Sequence, residues 1–314
     1  MSLIANALIG VSLVWDKVLL KQPETKNLVS YVFWLGAISV FGLALIPFGF
    51  HMPKLSIAGI AFAAGVLHLA AIYFYYAALK RGEASESLAV MGGLSPVATA
   101  VIGVFLLHQP FAGGKLTAFV LLTAGGFLMF MSEKMSFRRM VVPVVLASLF
   151  FGLVNVQERM VFSGTNFVSG YVFFTIGTCV GALLLLIPPQ WRRQILRQSE
   201  QAPPRSKFWY FVNRFIDGVG SFLTFYAISL THPAIVDAIG GVRFVIIFVG
   251  AVLLTNFYPQ WLCEDFTGRE LVIKTAATAL VVAGMIWLAT HGGHQEAGAA
   301  TAALHAVFGY DALL

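Results

Sequence analysis

Residues 56–79 read SIAGIAFAAGVLHLAAIYFYYAAL, a run of 24 positions without Asp, Glu, Lys or Arg and with a single histidine, His68. A helix crossing the hydrocarbon core of a bilayer takes about 20 consecutive apolar residues, so this stretch is long enough for a full crossing. Comparable runs fall at 3–20, 28–50, 85–107, 114–132, 141–163, 166–188, 208–230, 233–255 and 271–290. None shows the period-two alternation of a lipid-facing barrel strand. Backbone in hydrocarbon must satisfy its own hydrogen bonds, so each run is expected to be a helix. The expected fold class is therefore an all-α integral membrane protein with ten transmembrane helices.

Composition points the same way. The 314 residues are 59% hydrophobic and only 11% charged, whereas a soluble domain is about 25% charged. That shortage of charge excludes a disordered chain, a disulfide-rich secreted module and a nucleic-acid-binding domain. The net charge of +6 is assigned to membrane-flanking loops, so no nucleic acid is expected as a partner. Cys179 and Cys263 form no CxxC motif or metal cluster, and no metal or cofactor is expected. The N-terminus lacks a basic region before its first apolar run, so no cleaved signal is expected.

The breaks between runs organise the chain. Laying 1–132 on 141–290 aligns Gly10 with Gly152 and Asp16-Lys17 with Glu158-Arg159. Tyr76-Ala77 matches Tyr226-Ala227, and Gly92-Gly93 matches Gly240-Gly241 after a two-residue gap. The expected organisation is a five-helix repeat at 1–132, a loop at 133–140, a second repeat at 141–290 and a tail at 291–314. Five is odd, so the second repeat must run in the opposite sense, and inverted repeats enclosing a midplane site are transporter architecture. The polar connector from Pro188 to Lys207 is expected at the surface. Basic residues such as Lys80, Arg81, Arg138, Arg139, Arg192 and Arg193 cluster on one side, with Lys54 and Lys115 on the other. The positive-inside rule then puts both termini outside the cytoplasm.

With these features in hand, the chain resembles the drug/metabolite transporter superfamily, in its ten-helix EamA-like branch. The likeness covers about residues 1–290. It rests on a first helix ending in Trp15-Asp16-Lys17, on Tyr76-Ala77-Ala78-Leu79 leading to Gly93-Leu94-Ser95-Pro96-Val97, and on Tyr226-Ala227-Ile228-Ser229 in the second half. The resemblance implies a transporter, more commonly an exporter, with cytoplasmic termini, against the charge count. Three departures are visible: Leu107-His108-Gln109 where the family favours Leu-Gly-Glu, Arg243-Phe244 where a proline is expected, and the charge bias itself.

An ionisable side chain deep in a membrane is costly and normally faces the protein interior or a water-filled cavity. Arg243 sits too deep in its run to snorkel easily. It is either an anchor for a substrate carboxylate or phosphate, which suits a guanidinium fork, or the partner of Asp217 or Asp237. Arg214 and Asp217 are three apart and share a helix face, so they form a self-paired couple, or Asp217 accepts a proton during transport. His68 is a packing residue, or a cavity donor or proton relay. Tyr76 and Tyr226, whose hydroxyls need partners in hydrocarbon, are candidate cavity walls together with Trp15. Asp16-Lys17 and Glu158-Arg159 are candidate gates at helix ends, and Glu83 and Glu86 are expected at the solvated start of a fourth helix.

There is no Walker A loop, HExxH or nucleophile elbow, and an enzyme is not expected. The expected function is secondary transport of a small polar or amphipathic metabolite by alternating access, as exporter or exchanger. The alternatives are a lipid or lipid-linked headgroup translocase, marked by a lateral opening, and a non-transporting scaffold without a cavity. The expected location is the cell (inner) membrane, as monomer or homodimer, with a small-molecule substrate and the bilayer as partners.

Overall fold

A computed structural model describes residues 1–21, 27–81, 84–107, 114–131, 137–201, 203–231, 233–240, 243, 246, 250, 253 and 268–291. The regular elements among them are helices. They are α1 (Ser2–Lys21), α2 (Leu28–Ile38) with a 3-10 continuation (Ser39–Phe48), α3 (Leu55–Arg81), α4 (Ala84–Leu107), α5 (Gly114–Met131), α6 (Phe137–Gly164), α7 (Phe167–Leu184), α8 (Pro189–Gln201), α9 (Pro204–Leu230), α10 (Pro233–Ile239) and α11 (Gly268–His291). Four spans among the described residues are long and apolar enough to cross a membrane: Leu28–Phe48, Leu55–Lys80, Val142–Gly164 and Phe167–Leu184. Ser2–Asp16 and Leu94–Leu107 are shorter apolar helices. Large apolar side chains such as Phe41, Leu55, Phe105 and Val272 face outward, as a hydrocarbon solvent allows. The protein is an integral membrane protein. About half of the ninth expected run, part of the 133–140 loop, Glu83, the side chain of Glu86, Cys263 and the tail beyond 291 lie outside the described residues.

Two helix starts are built alike. Asn27 before α2 accepts a hydrogen bond from the Ser30 amide at 3.1 Å, and Asn166 before α7 accepts one from the Ser169 amide at 2.9 Å. Asn is a favoured N-cap because its side-chain oxygen satisfies an amide that lacks a carbonyl partner.

The 28–50 run does not form one uniform helix. At Ser39 the hydroxyl donates to the Gly36 carbonyl at 2.5 Å and to the Thr175 carbonyl at 3.2 Å, and the chain tightens into 3-10 geometry. That segment ends at Gly49, whose φ of 103° is left-handed space open mainly to glycine. The 188–207 connector is also more ordered than its polarity suggests. It folds as α8, tucking Ile195 into the core at 1% exposure while its arginines face out, and Asn27 Nδ2 donates to Gln194 Oε1 at 3.2 Å.

Helix α3 packs against α6 and α7, α1 against α9, α4 against α5 and α6, and α5 against α11. The α3–α7 contact is backbone to backbone. A Cβ on Gly65 would lie 2.0 Å from the Phe174 carbonyl, and one on Gly177 would lie 2.1 Å from that of Phe62. In lipid, where apolar burial no longer drives association, such small residues let dispersion and weak polar contacts act at close range. Thr178 Oγ1 donates across this contact to the Gly65 carbonyl at 3.2 Å.

Candidate functional site

Near the C-terminal end of α1, Asp16 is fully buried, and side chains from three other helices converge on it. Tyr31 of α2 donates to Oδ1 at 2.5 Å, and Tyr76 of α3 donates to Oδ2 at 2.6 Å. From α9, Asn213 donates to Oδ1 at 2.6 Å and Arg214 forms an ion pair with the same oxygen. Helical spacing explains the α9 pair: Asn213, Arg214 and Asp217 lie within one turn, so adjacent side chains can clasp α1 together.

Arg214 makes several contacts through its two terminal nitrogens, while its Nε has no hydrogen-bond partner among the described residues. Its Nη1 donates to the Tyr76 hydroxyl at 2.9 Å and pairs with Asp217 at 3.2 Å, while Nη2 reaches Ser12 Oγ at 3.4 Å. Its guanidinium carbon lies 5.6 Å from the ring centres of Tyr31 and Tyr210 and 6.0 Å from that of Tyr76, within range of cation–π attraction. Tyr210 donates to the Tyr31 carbonyl at 2.7 Å, closing the ring of tyrosines. A buried ion pair needs this surplus of hydrogen bonds, because desolvating two charges can cancel their attraction.

This cluster forms one wall of a cavity of about 1070 Å³. His68, Tyr76, Arg214, Asp217, Asp237 and Arg243 all line it. Asp237 accepts from Ser95 at 2.7 Å and from Thr99 at 2.6 Å, tying α10 to α4. Arg243 donates from Nε to Asn6 Oδ1 at 2.5 Å, and among the described residues it forms no ion pair. His68 is held edge-on by Phe151, Phe174 and Phe225 at 5.7, 5.1 and 5.8 Å. Its Nδ1 has no hydrogen-bond partner among the described residues, and neither has the hydroxyl of the neighbouring wall residue Tyr75.

The remaining candidates lie elsewhere. Tyr226 packs edge-to-face on Phe167, at the start of α7, at 5.2 Å and is absent from the cavity lining. Trp15 stacks at a tilt on Trp209 at 5.4 Å and also stands outside the lining. Glu158 is fully buried, and neither carboxylate oxygen is hydrogen-bonded among the described residues. Arg159 donates to the Ile228 and Ser229 carbonyls at 3.2 and 2.5 Å, neutralising the negative end of α9. The side chain of Lys17 lies outside the described residues. Reading the sequence in isolation missed Tyr31, Asn213, Tyr210 and Asn6. Their signal was weak: each is an isolated polar group within an apolar helix, and only the three-dimensional crossing of α1, α2 and α9 joins them.

The comparisons add a likeness of fold and a family likeness in the first half. A solved structure described as "Crystal structure of protein" matches with a TM-score of 0.55 and 15% identity, over 91% of this chain and 94% of that one. At that identity the likeness is one of fold. No curated protein sequence matches the chain. The first half, which supplies Asp16, Tyr31, Tyr76, Ser95 and Thr99 to the site, also carries the family likeness: residues 1–131 match the model of the EamA-like transporter family.

Proposed function

We propose that the protein is a secondary transporter of a small polar or amphipathic metabolite, working by alternating access between two inverted five-helix halves. The observation that carries this reading is the cavity of about 1070 Å³ with Arg214, Asp217, Asp237 and Arg243 on its walls. Ionisable groups inside a membrane protein are expensive and mark solute or ion pathways, and ligand cavities commonly span about 300–1,000 Å³. Members of the matched family are transporters rather than enzymes. A non-transporting scaffold would pair its buried charges and fill its centre, whereas here the centre is open.

Division of labour follows from the partners. Asp16 and Arg214 clamp α1 to α9 and hold one wall rigid. Arg243, held through one nitrogen by Asn6, is the binding group. Asp217, shared between Arg214 and the cavity, is the candidate proton acceptor. The packing contrast between helices supports the rocking motion. The α3–α7 seam is sealed at Gly65 and Gly177, while Ser39–Phe48 and α9 jointly line the cavity. Alternation would open the first seam and close the second. The location in this reading is the cell (inner) membrane, and the working unit is a monomer or homodimer.

The test is uptake and counterflow in proteoliposomes across a panel of carboxylates, phosphates, amino acids and amphiphiles, with and without a pH gradient. The proposal expects saturable counterflow of at least one panel member, reduced by more than tenfold in Arg243→Ala protein that remains folded. Parent protein that is folded yet moves nothing would contradict it.

A further inference from the structure

The cavity is not walled by protein all round. Phe41 and Phe48 of the 3-10 segment and Phe215 of α9 line it, yet they are 72%, 73% and 73% exposed. A side chain that borders an internal cavity and also faces outward in the apolar belt stands at an opening into the bilayer. The packing accounts for the gap. The 3-10 segment lies on α7 and α2, whereas α9 lies on α1 and α6. Tyr210 ties the start of α9 to the α2 backbone, but no hydrogen bond among the described residues ties α9 to Ser39–Phe48. Gly218 faces the same seam from α9, exposed, with nothing within 4 Å of where a Cβ would stand.

The two ends of this passage differ in chemistry. At the inner end is Arg243, a cation in direct ion-pair contact with no acid among the described residues, although Asp237 and Asp217 act on it at longer range, while Arg214 touches Asp16 and Asp217 directly. At the outer end are phenylalanines in contact with hydrocarbon. A wholly polar solute would gain nothing from the outer end. An alkyl chain gains there about what it gains in lipid and can slide in without crossing water.

We propose that the seam between Ser39–Phe48 and α9 is a lateral portal for an anionic amphiphile with a single alkyl tail, which enters from the bilayer with its head towards Arg243. The tail lies against Phe41, Phe48 and Phe215. This rests on the transport reading and narrows its substrate class. Each methylene moved from water to apolar surroundings is favoured by up to about fourfold, so the tail concentrates the solute in the bilayer beside the portal and the arginine supplies head selectivity.

The experiment uses the full chain in sealed proteoliposomes and follows saturable uptake of inorganic phosphate, butyl phosphate, octyl phosphate and octylammonium. The parent is compared with Gly218→Trp and Ala44→Trp, which plug the portal from its two walls. Gly59→Trp, an equal addition into open space on α3 away from the cavity, is the control. The expected result is that uptake efficiency rises at least tenfold from butyl to octyl phosphate, with octylammonium excluded. Either plug should lower octyl phosphate uptake about tenfold or more while Gly59→Trp transports as the parent does. Uptake of phosphate or butyl phosphate that is independent of tail length and unaffected by both plugs would overturn the portal and leave transport standing. Folded parent protein that moves no compound of this panel or of the wider metabolite panel would overturn both.

Discussion

At the scale of single residues, the account turns on Asp16. One carboxylate accepts from Tyr31, Tyr76 and Asn213 and pairs with Arg214, so removing the cation leaves a buried charge with only neutral donors. Breaking a buried pair from one side costs about 3–5 kcal/mol. Arg214→Met should therefore lower stability by about that much, measured by thermal unfolding in detergent. Tyr31→Phe removes one bond to a charged acceptor and should cost about 1.5–3 kcal/mol. Glu158 gives the contrast, because neither oxygen is hydrogen-bonded among the described residues. Glu158→Gln should leave the melting temperature unchanged or raise it, while Asp16→Asn lowers it. Equal losses in the two variants would mean that Glu158 is held as firmly as Asp16. The sequence marked both acids by their matching positions in the two halves, yet it gave no way to tell the bonded one from the unbonded one. That difference comes from α9, which brings Asn213 and Arg214 to Asp16, while Arg159 Nη1 donates to the end of α9.

At the scale of elements, hydrophobic run length located the helices well, because a lipid-facing backbone has almost no alternative to helix. It was blind to irregularity inside a run. Nothing in the apolarity of 28–50 announces the tightening at Ser39, which depends on a carbonyl of α7. Polarity likewise disguised α8, whose one buried anchor, Ile195, is spaced among arginines and glutamines. The N-caps were legible in principle, since Asn27 and Asn166 each stand three residues before a serine. Asn166→Ala should cost about 1 kcal/mol, readable in the same unfolding assay, and no loss would show that the cap is dispensable in lipid or detergent. Gly177→Ala tests the α3–α7 contact. A methyl 2.1 Å from a carbonyl oxygen must push the helices apart, at a cost of about 1–3 kcal/mol. Unchanged stability would mean that this seam already opens freely.

At the scale of the whole molecule, the proportion of charge pointed to the membrane setting, and the short list of intramembrane polar groups picked out several polar residues of the cavity wall. His68, Tyr76, Arg214, Asp217, Asp237 and Arg243 were all picked out as costly polar groups in hydrocarbon, and all line one cavity. Tyr226 was picked out by the same reasoning, but its ring packs on Phe167 and it is absent from that lining. Internal symmetry ranks positions along a chain, whereas exposure depends on which neighbour happens to lie across that face. The opening beside Phe41, Phe48 and Phe215 was beyond the reach of sequence for the same reason, since these phenylalanines look like any other lipid-facing residue until the missing neighbour is known.

The central claim is a wet chamber reached by solute and closed from the other side of the membrane. Its most direct test places a single cysteine at Ser221, a cavity-lining position, in protein whose Cys179 and Cys263 are replaced by alanine, with Lys54→Cys as an exposed reference. The account predicts that a membrane-impermeant thiol reagent labels position 221 from one side of oriented vesicles only. It also predicts that a transported solute slows that labelling. Labelling of position 54 with none at 221 from either side would contradict it, because the centre of the molecule would then be closed to water.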